Sequence, residues 1–130
     1  MTIEQLIQQA LTIKEAALAP FSKFKVGAVL VTMDNRIYTG CNIETSSFGL
    51  TICAERVAIF KAVSEGEKQF KSIFIASDSE KLTPPCGACR QVLWELAGDI
   101  EVFMIDYLGN YQKSSMRELL PFGFDKSFLT

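Results

Sequence analysis

The chain has 130 residues, of which 48% are hydrophobic, and this is enough to bury one compact core. Its net charge of -2 and pI near 5.2 provide no basic surface for a nucleic-acid backbone, whose recognition depends on clustered Lys and Arg. The sequence contains no histidine, which excludes Ser-His-Asp relays, Cys-His relays and every histidine-ligated zinc site. We therefore expect one domain, residues 1–130, with no nucleic-acid partner.

The N-terminal sequence and the cysteine content bear on the cellular compartment. MTIEQLIQQA has no basic n-region followed by an apolar h-region, and no apolar run approaches the ~18 residues of a membrane span. These features predict a cytoplasmic protein with no membrane partner. In a reducing cytosol, the four cysteines are expected to serve metal binding or catalysis rather than disulfides.

The predicted elements alternate between helices and strands. The first helix begins at the capping box Thr2-x-x-Gln5, keeps an apolar residue at every helical turn and ends before Pro20. A turn signal at Asp34-Asn35 then joins two strands into an antiparallel hairpin. The whole set is, in chain order, helix 2–19, strand 25–33, strand 36–41, helix 52–65 closed by Gly66, strand 71–77, helix 86–97 closed by Gly98, strand 100–106, the turn Gly109-Asn110 and a short helix from Ser115 to Pro121. This order predicts an α/β layered domain with a mixed sheet.

Three thiols occupy matching places in this pattern. Cys53 and the pair Cys86 and Cys89 fall in the first turn of two predicted helices, each after a strand and a loop. The positive end of a helix dipole and its free N–H groups stabilise a thiolate there. The C-x-x-C pair alone is equally typical of a redox pair or of structural zinc, but the addition of Cys53 favours a catalytic zinc site with three ligands and one open position. Cys41 lies among apolar residues of a strand and is interpreted as core.

Charged residues surround the proposed ligands. Arg56, three residues beyond Cys53, can hydrogen-bond the sulfurs and offset their negative charge. Arg90 is a weaker candidate for the same task, with a solvated surface charge as the alternative. Glu55 stands between Cys53 and Arg56 and is the natural proton shuttle, because it is close to the metal without being required as a ligand.

Taken together, these motifs resemble a known family. Cys53-Ala-Glu55-Arg56, followed by Pro85-Cys86-Gly-Ala-Cys89-Arg90-Gln91, is similar to the zinc-dependent cytidine deaminases of the small homotetrameric type. The similarity extends over most of the chain, and its further strings are Phe21-Ser-Lys-Phe24-x-Val-Gly27-Ala28, Gly40-Cys41-Asn42-Ile-Glu44 and Leu119-Leu120-Pro121.

The resemblance implies a fold, a reaction and a cofactor. The fold is a three-layer α-β-α domain with a mixed five-stranded sheet. The reaction is hydrolytic deamination of cytidine and 2'-deoxycytidine to uridine and 2'-deoxyuridine, by attack of a zinc-activated hydroxide on the pyrimidine C4, in pyrimidine salvage. One Zn2+ per chain is the implied cofactor, in a homotetramer with shared active sites.

The resemblance also assigns roles to single residues. Zinc is bound by Cys53, Cys86 and Cys89, with Glu55 as the catalytic acid and base. The residues that contact substrate are Phe24 against the pyrimidine ring, Asn42 and Glu44 on the ribose hydroxyls, Ala54, and Phe124 in the pocket of a neighbouring subunit. The family's usual Asn after the ribose-binding Glu is Thr45 here, which makes the contacts of residues 45–48 less defined than the metal site.

From the residues alone, Phe24 is a core aromatic as readily as a stacking platform, and Asn42 can simply close a polar turn. Two other functions remain open. In the first, Cys41 joins the three thiols in a closed tetrathiolate zinc module, and Glu55 has no role. In the second, a deaminase of the same fold acts on an aminoacylnucleoside antibiotic or on a polynucleotide.

Overall fold

The computed structural model describes residues 1–129 and contains a five-stranded mixed sheet with helices on both faces. This confirms the predicted three-layer α-β-α fold. The helices are α1 (Ile3–Ile13), α2 (Ala54–Ser64), α3 (Gly87–Ala97) and α4 (Met116–Leu119). The strands are β1 (Val26–Thr32), β2 (Ile37–Cys41), β3 (Phe70–Ser77), β4 (Glu101–Ile105) and β5 (Tyr111–Ser115).

The sheet has the strand order β2-β1-β3-β4-β5. Neighbouring strands are antiparallel except for β3 and β4, which run parallel because α3 connects them as a crossover helix. The predicted hairpin is confirmed as β1 and β2, with Val29 opposite Thr39. The four strands predicted from the residue pattern, β1 to β4, each begin and end within about one residue of their predicted bounds, whereas β5 was missed.

One predicted boundary was wrong. The first helix ends at Ile13, well before Pro20, and a short 3-10 turn over Lys14–Ala16 follows it. The reason is that Leu18 pairs with the segment after β2: its N–H donates to the carbonyl of Asn42, and its carbonyl accepts from the N–H of Glu44. A helix continued to residue 19 would forfeit both bonds, so the extended pairing is preferred.

Two apolar layers hold the helices on the sheet. On one face α1 buries Leu6, Ile7 and Ala10 against a layer that includes the stacked rings of Phe74 and Phe103, with centroids 4.2 Å apart. On the other face α2 and α3 cover a larger layer, whose fully buried members include Ile59, Ile75 and Leu93. Both helices that carry the candidate ligands therefore lie on the same face of the sheet. Of the helices within residues 1–129, none combines the length and apolarity that a bilayer crossing requires.

Gly40 in β2 sets how closely α2 approaches the sheet. A Cβ at this position would collide with the carbonyl oxygen of Ala54 and would lie 2.7 Å from the amide nitrogen of Ala58. Both atoms belong to the backbone of α2, so a rotamer change cannot relieve the contact. The absence of a side chain here lets the first turn of α2 rest directly on β2 and fixes the height of that turn above the sheet.

Gly40→Ala is therefore expected to lift the first turn of α2 from the sheet and to lower the free energy of unfolding by about 1–3 kcal/mol, as overpacking does. Chemical denaturation measures this loss. Gly49→Ala is the matched control, because a Cβ there meets no atom within 4 Å. Equal stability of the two variants would show that the close approach is not required.

Candidate active site

The three predicted ligands converge at the N-termini of α2 and α3. Cys53 is the N-cap of α2, Cys86 is the N-cap of α3, and Cys89 lies in the first turn of α3. Their sulfur atoms all lie within 4.8 Å of one another, and the Cys53 and Cys86 sulfurs are 3.9 Å apart. The backbone N–H of Cys89 donates to the sulfur of Cys86 over 3.5 Å. The chain thus forms one compact cluster of three thiols at two helix N-termini.

This cluster fits a tetrahedral zinc ion. Three thiolates at about 2.3 Å from one zinc hold their sulfurs roughly 3.8 Å apart, close to the observed spacing. Cys41 is in β2 and, within the described chain, is not part of the cluster. Three sulfurs without a fourth leave one coordination position for a water or a substrate, which argues against the closed tetrathiolate module.

The pKa values of the clustered thiols also favour a bound cation. Hydrogen bonding to Cys89, assisted by Arg56 and Cys86, lowers the pKa of Cys53 to about 5 against the opposing effect of its partial burial. The same contact with Cys53, together with burial, raises the pKa of Cys89. One thiolate therefore forms readily and opposes the ionisation of its neighbour. A divalent cation removes this opposition, because it compensates all three charges at once.

The two arginines have different partners. Arg56 donates from Nη2 to the Cys53 sulfur over 3.5 Å, and its Nε is buried without a hydrogen-bond acceptor among the described residues. Arg56 thus lies where it was predicted, at the thiol cluster. Neither interpretation of Arg90 was right: it is half-buried and donates to the carbonyl oxygens of Pro85 and Leu119, 2.8 and 2.9 Å away.

Glu55 lies beside the cluster and is almost completely buried, with 4% of its surface exposed. Burial raises the pKa of its carboxyl to about 7, and the neighbouring Cys53 adds to the rise, against the opposing hydrogen bond to Cys89 and charge of Arg56. A group with this pKa can both accept and donate a proton near neutral pH. Its place in the first turn of α2 follows directly from the Cys53-Ala-Glu55 spacing.

The cluster opens into a cleft of about 300 Å³. Four predicted substrate residues line this cleft together with Glu55, namely Phe24, Asn42, Glu44 and Ala54. Cys53 and Cys86 also line it, so the sulfurs, the carboxyl group and a half-exposed aromatic ring face the same space. The volume lies at the small end of the range that small-molecule sites occupy.

Asn42 and Glu44 hold the loop that carries Phe24. The Asn42 Oδ1 accepts from the N–H of Val26, and its Nδ2 donates to the carbonyl of Phe24, both over 2.8 Å. The Glu44 carboxylate accepts from the N–H groups of Phe21 and Ser22, 3.0 and 3.1 Å away, and from the Ser22 hydroxyl. The last of these bonds lowers the pKa of Glu44 most strongly, so this side chain is ionised at neutral pH.

Ser22 and Thr83 are among the cleft residues that the sequence reasoning missed. Ser22 anchors Glu44, and its Oγ also accepts from the N–H of Phe24 over 3.0 Å. Its only signal is its place in the Phe21-Ser-Lys-Phe24 string. Thr83 precedes the two prolines and lines the cleft. Its hydroxyl donates to the carbonyl of Ile105, 22 residues away, and sequence spacing could not have found this contact.

Phe124 is half-exposed and is not among the described residues that line the cleft of its own chain. Its ring stacks on Phe128 with centroids 5.2 Å apart, and its carbonyl accepts from Gln91 of α3. Trp94 of α3 also donates to Asp125, over 3.2 Å. The C-terminal segment is thus fastened to α3 by its backbone and by Asp125, while its phenylalanine rings point outward.

Residues 1–105 match the model of a family described as the cytidine and deoxycytidylate deaminase zinc-binding region. The chain belongs to this family. The cytidine deaminase of Sporosarcina psychrophila is 44% identical over 131 residues, which cover 100% of this chain and 96% of that protein.

A solved structure extends this comparison to the fold. The crystal structure of the cytidine deaminase from Burkholderia pseudomallei matches with a TM-score of 0.92 and 42% identity, over 95% of this chain and all of that one. The blasticidin-S deaminase of Bacillus cereus is a more distant relative, 33% identical over 95% of this chain and 92% of its own length. Family membership therefore rests on nearly the whole chain and not only on the cysteine motifs.

Proposed function

We propose that this chain is a zinc-dependent cytidine deaminase that hydrolyses cytidine and 2'-deoxycytidine to uridine, 2'-deoxyuridine and ammonia. The observation that carries the proposal is the buried carboxyl group of Glu55 beside three thiols at the floor of a cleft. Cys53, Cys86 and Cys89 would hold one zinc ion per chain. Residues 1–130 would then form a single catalytic domain.

A bound zinc ion supplies Lewis acidity and lowers the pKa of a water molecule in its open position. The chain's own residues carry the protons and the charge. Glu55 accepts a proton from the attacking water and passes it to the ring nitrogen N3, while the oxygen forms a bond to the pyrimidine C4 and the C4–N3 double bond opens. Glu55 then moves the remaining hydroxyl proton to the exocyclic nitrogen, the C–N bond breaks, the C4–O double bond forms and ammonia leaves. Arg56 offsets the charge of the thiolates through its contact with Cys53.

The cleft favours a neutral nucleoside over a nucleotide or a polynucleotide. Its described lining includes the ionised Glu44 and no Lys or Arg. A phosphate group is recognised by cationic side chains and repelled by a carboxylate, so a phosphorylated substrate would be disfavoured at the sugar end. This distinction supports cytidine over deoxycytidylate and over a nucleic acid.

The sugar hydroxyls are assigned to Glu44 and Asn42, because each of these side chains keeps hydrogen-bonding capacity that the protein does not use. Glu44 uses three of about four carboxylate acceptor positions, and the Asn42 amide keeps one N–H for another partner. One acceptor and one donor are thus left for the sugar hydroxyls. Phe24 and Ala54, which line the same cleft, would contact the pyrimidine ring.

A homotetramer with shared sites is supported by apolar surface in two places. On α2, Phe60 and Val63 are exposed although the opposite side of the helix packs on the sheet. On the C-terminal segment, Phe122, Phe124 and Phe128 are exposed. Contiguous exposed aromatics typically mark an interface, and in a closed symmetric assembly each subunit could complete the cleft of another with Phe124.

Truncation after Pro121 is accordingly expected to lower the solution mass and the affinity for cytidine together. Phe124→Ala should keep the tetrameric mass but raise KM for cytidine roughly tenfold or more, because an aromatic contact with the base is worth about 1–3 kcal/mol. Light scattering measures the mass of each variant, and initial rates give KM. Lys126→Ala is the control, because it removes an exposed side chain of the same segment that carries no aromatic ring. A fully active monomer would rule out the shared site.

Three reduced thiols in one cluster require a reducing compartment, which supports a cytoplasmic location. The products would return pyrimidine nucleosides to the uridine pool, so the reaction is one of pyrimidine salvage.

The function is tested by ultraviolet absorbance and ammonia release with purified protein and a panel of substrates. Cytidine and 2'-deoxycytidine are expected to be turned over, whereas free cytosine, deoxycytidylate and single-stranded DNA should react slowly or not at all. An aminoacylnucleoside antibiotic completes the panel, because the Bacillus cereus relative is named for one. Preferential turnover of the antibiotic would overturn the assignment to cytidine.

A further inference from the structure

The segment Thr83–Cys86 carries a metal ligand but has few backbone groups to hold it. Pro84 and Pro85 have no N–H, so neither residue can donate a backbone hydrogen bond. Thr83, Pro84 and Cys86 nevertheless line the cleft. A ligand sulfur must be held to within about half an ångström to keep its geometry. The Cys86 carbonyl accepts from the N–H of Arg90, and side chains near the two ends of the segment supply the remaining hydrogen bonds.

At the first end, Thr83 joins the two parallel strands of the sheet. Its hydroxyl donates to the carbonyl of Ile105 over 2.8 Å, so the Ser77 hydroxyl, 2.7 Å away, must donate to Thr83. The Ser77 Oγ in turn accepts from the N–H of Ser79. Ser77 and Ile105 are the last residues of β3 and β4, and both are fully buried. A buried chain of three bonds thus holds Thr83 across the ends of two central strands.

At the second end, Arg90 holds the carbonyl of Pro85, the residue directly before Cys86. Its Nε donates to that carbonyl over 2.8 Å, and its Nη1 donates to the carbonyl of Leu119 at the end of α4 over 2.9 Å. The planar guanidinium group fits this task, because its donors diverge in a fixed geometry that Lys cannot reproduce. The Pro85 carbonyl is therefore fixed to both α3 and α4.

We propose that Thr83 and Arg90 are positioning residues of the metal centre, which act through the backbone of Thr83–Cys86 to fix the sulfur of Cys86. This inference rests on one part of the proposed function, the binding of zinc by the three thiols. Cys86 is the exposed ligand of the three, while Cys53 is half-buried and Cys89 is buried. Departure of Cys86 is thus the step that opens the centre, and the two clamps set how often it occurs.

The test measures the rate at which zinc-loaded protein releases its metal to an excess of chelator, followed with a zinc-sensitive dye. Thr83→Val keeps the shape of the side chain but breaks the chain between Ser77 and Ile105. Arg90→Gln removes the bridge between Pro85 and Leu119. Each variant is expected to release zinc about tenfold faster than the unchanged protein, the lower end of the range for residues that orient metal ligands.

Arg90→Lys should give an intermediate rate, because its single ammonium group can hold one of the two carbonyls, and it replaces Arg90→Gln if that variant does not fold. Cobalt provides a second readout: the sulfur-to-cobalt absorption of the Co2+-loaded variants should change in shape, as a displaced ligand requires.

Two controls separate positioning from general stability. Ile7→Val lowers stability on the opposite face of the sheet, and Arg117→Gln removes an exposed arginine that pairs with Asp99. Both should release zinc at the unchanged rate despite any shift in the thermal midpoint. If Thr83→Val or Arg90→Gln releases zinc no faster than these controls, the proposal is overturned for that residue.

These readouts do not depend on the substrate. A chain that binds cobalt through thiolates and responds to both variants, but does not deaminate cytidine, would refute the proposed function and leave this inference standing.

Discussion

Glu55→Gln is expected to fold, to retain one zinc per chain and to lose turnover by two to four orders of magnitude or more. Gln preserves the size and the hydrogen-bonding capacity of the side chain, but it cannot accept and deliver a proton. Glu44 is the only other carboxylate among the described residues that line the cleft. It cannot replace Glu55, because it already accepts hydrogen bonds from Phe21 and Ser22. The measurement is kcat for cytidine, with zinc determined on the same sample.

Glu4→Gln is the matched control for this prediction. Glu4 is the acidic residue in the first turn of α1, as Glu55 is in the first turn of α2, but it is exposed and far from the thiols. Its substitution should leave kcat unchanged. Deamination by Glu55→Gln at the rate of the unchanged protein would remove Glu55 from the mechanism and would favour a purely structural zinc site.

Cys86→Ser is expected to reduce the zinc content from one per chain towards zero and to abolish turnover. A serine hydroxyl is a poor zinc ligand, because the zinc sites of proteins are built from thiolate, imidazole and carboxylate groups. Two sulfurs cannot hold the ion against dialysis. Elemental analysis after dialysis and the rate with cytidine measure the two effects.

Cys41→Ser provides the comparison, because Cys41 is a thiol of the same chain that lies in β2 outside the cluster. It should retain one zinc and its activity, with at most a small loss of stability. Loss of metal in both cysteine variants would instead indicate a fourth ligand and a closed centre.

The thiol cluster could be predicted from the sequence because each ligand is local to a helix start. Cys53 and Cys86 occupy N-cap positions that loop and helix patterns define, and Cys89 follows by its spacing within one turn. Strands β1 to β4 were equally accessible, since their apolar runs are bounded by turn residues, whereas β5 is polar and mostly exposed and was missed. Convergence of the two helix starts required only that both helices lie on one face of the sheet.

Contacts between distant segments could not be predicted in the same way. The role of Arg90 depends on the carbonyl of Leu119, 29 residues away in sequence, and that of Thr83 on Ile105, 22 residues away. The end of α1 was misplaced for the same reason, because Leu18 pairs with Asn42 and Glu44 across the fold. Local patterns describe helices and strands, whereas side chains that bind remote carbonyls are fixed only by the assembled sheet.

We propose that a zinc ion held by three thiolates, together with Glu55, makes this chain a cytidine deaminase. The most direct measurement is a titration in which zinc is removed with a chelator, the chelator is removed, and zinc is added back in known amounts while cytidine turnover is recorded. We expect no turnover without metal, a linear recovery as zinc is added and a plateau at one zinc per chain, with uridine and ammonia formed in equal amounts. Turnover that persists without metal, or a fully zinc-loaded protein that leaves cytidine unchanged, would contradict the claim.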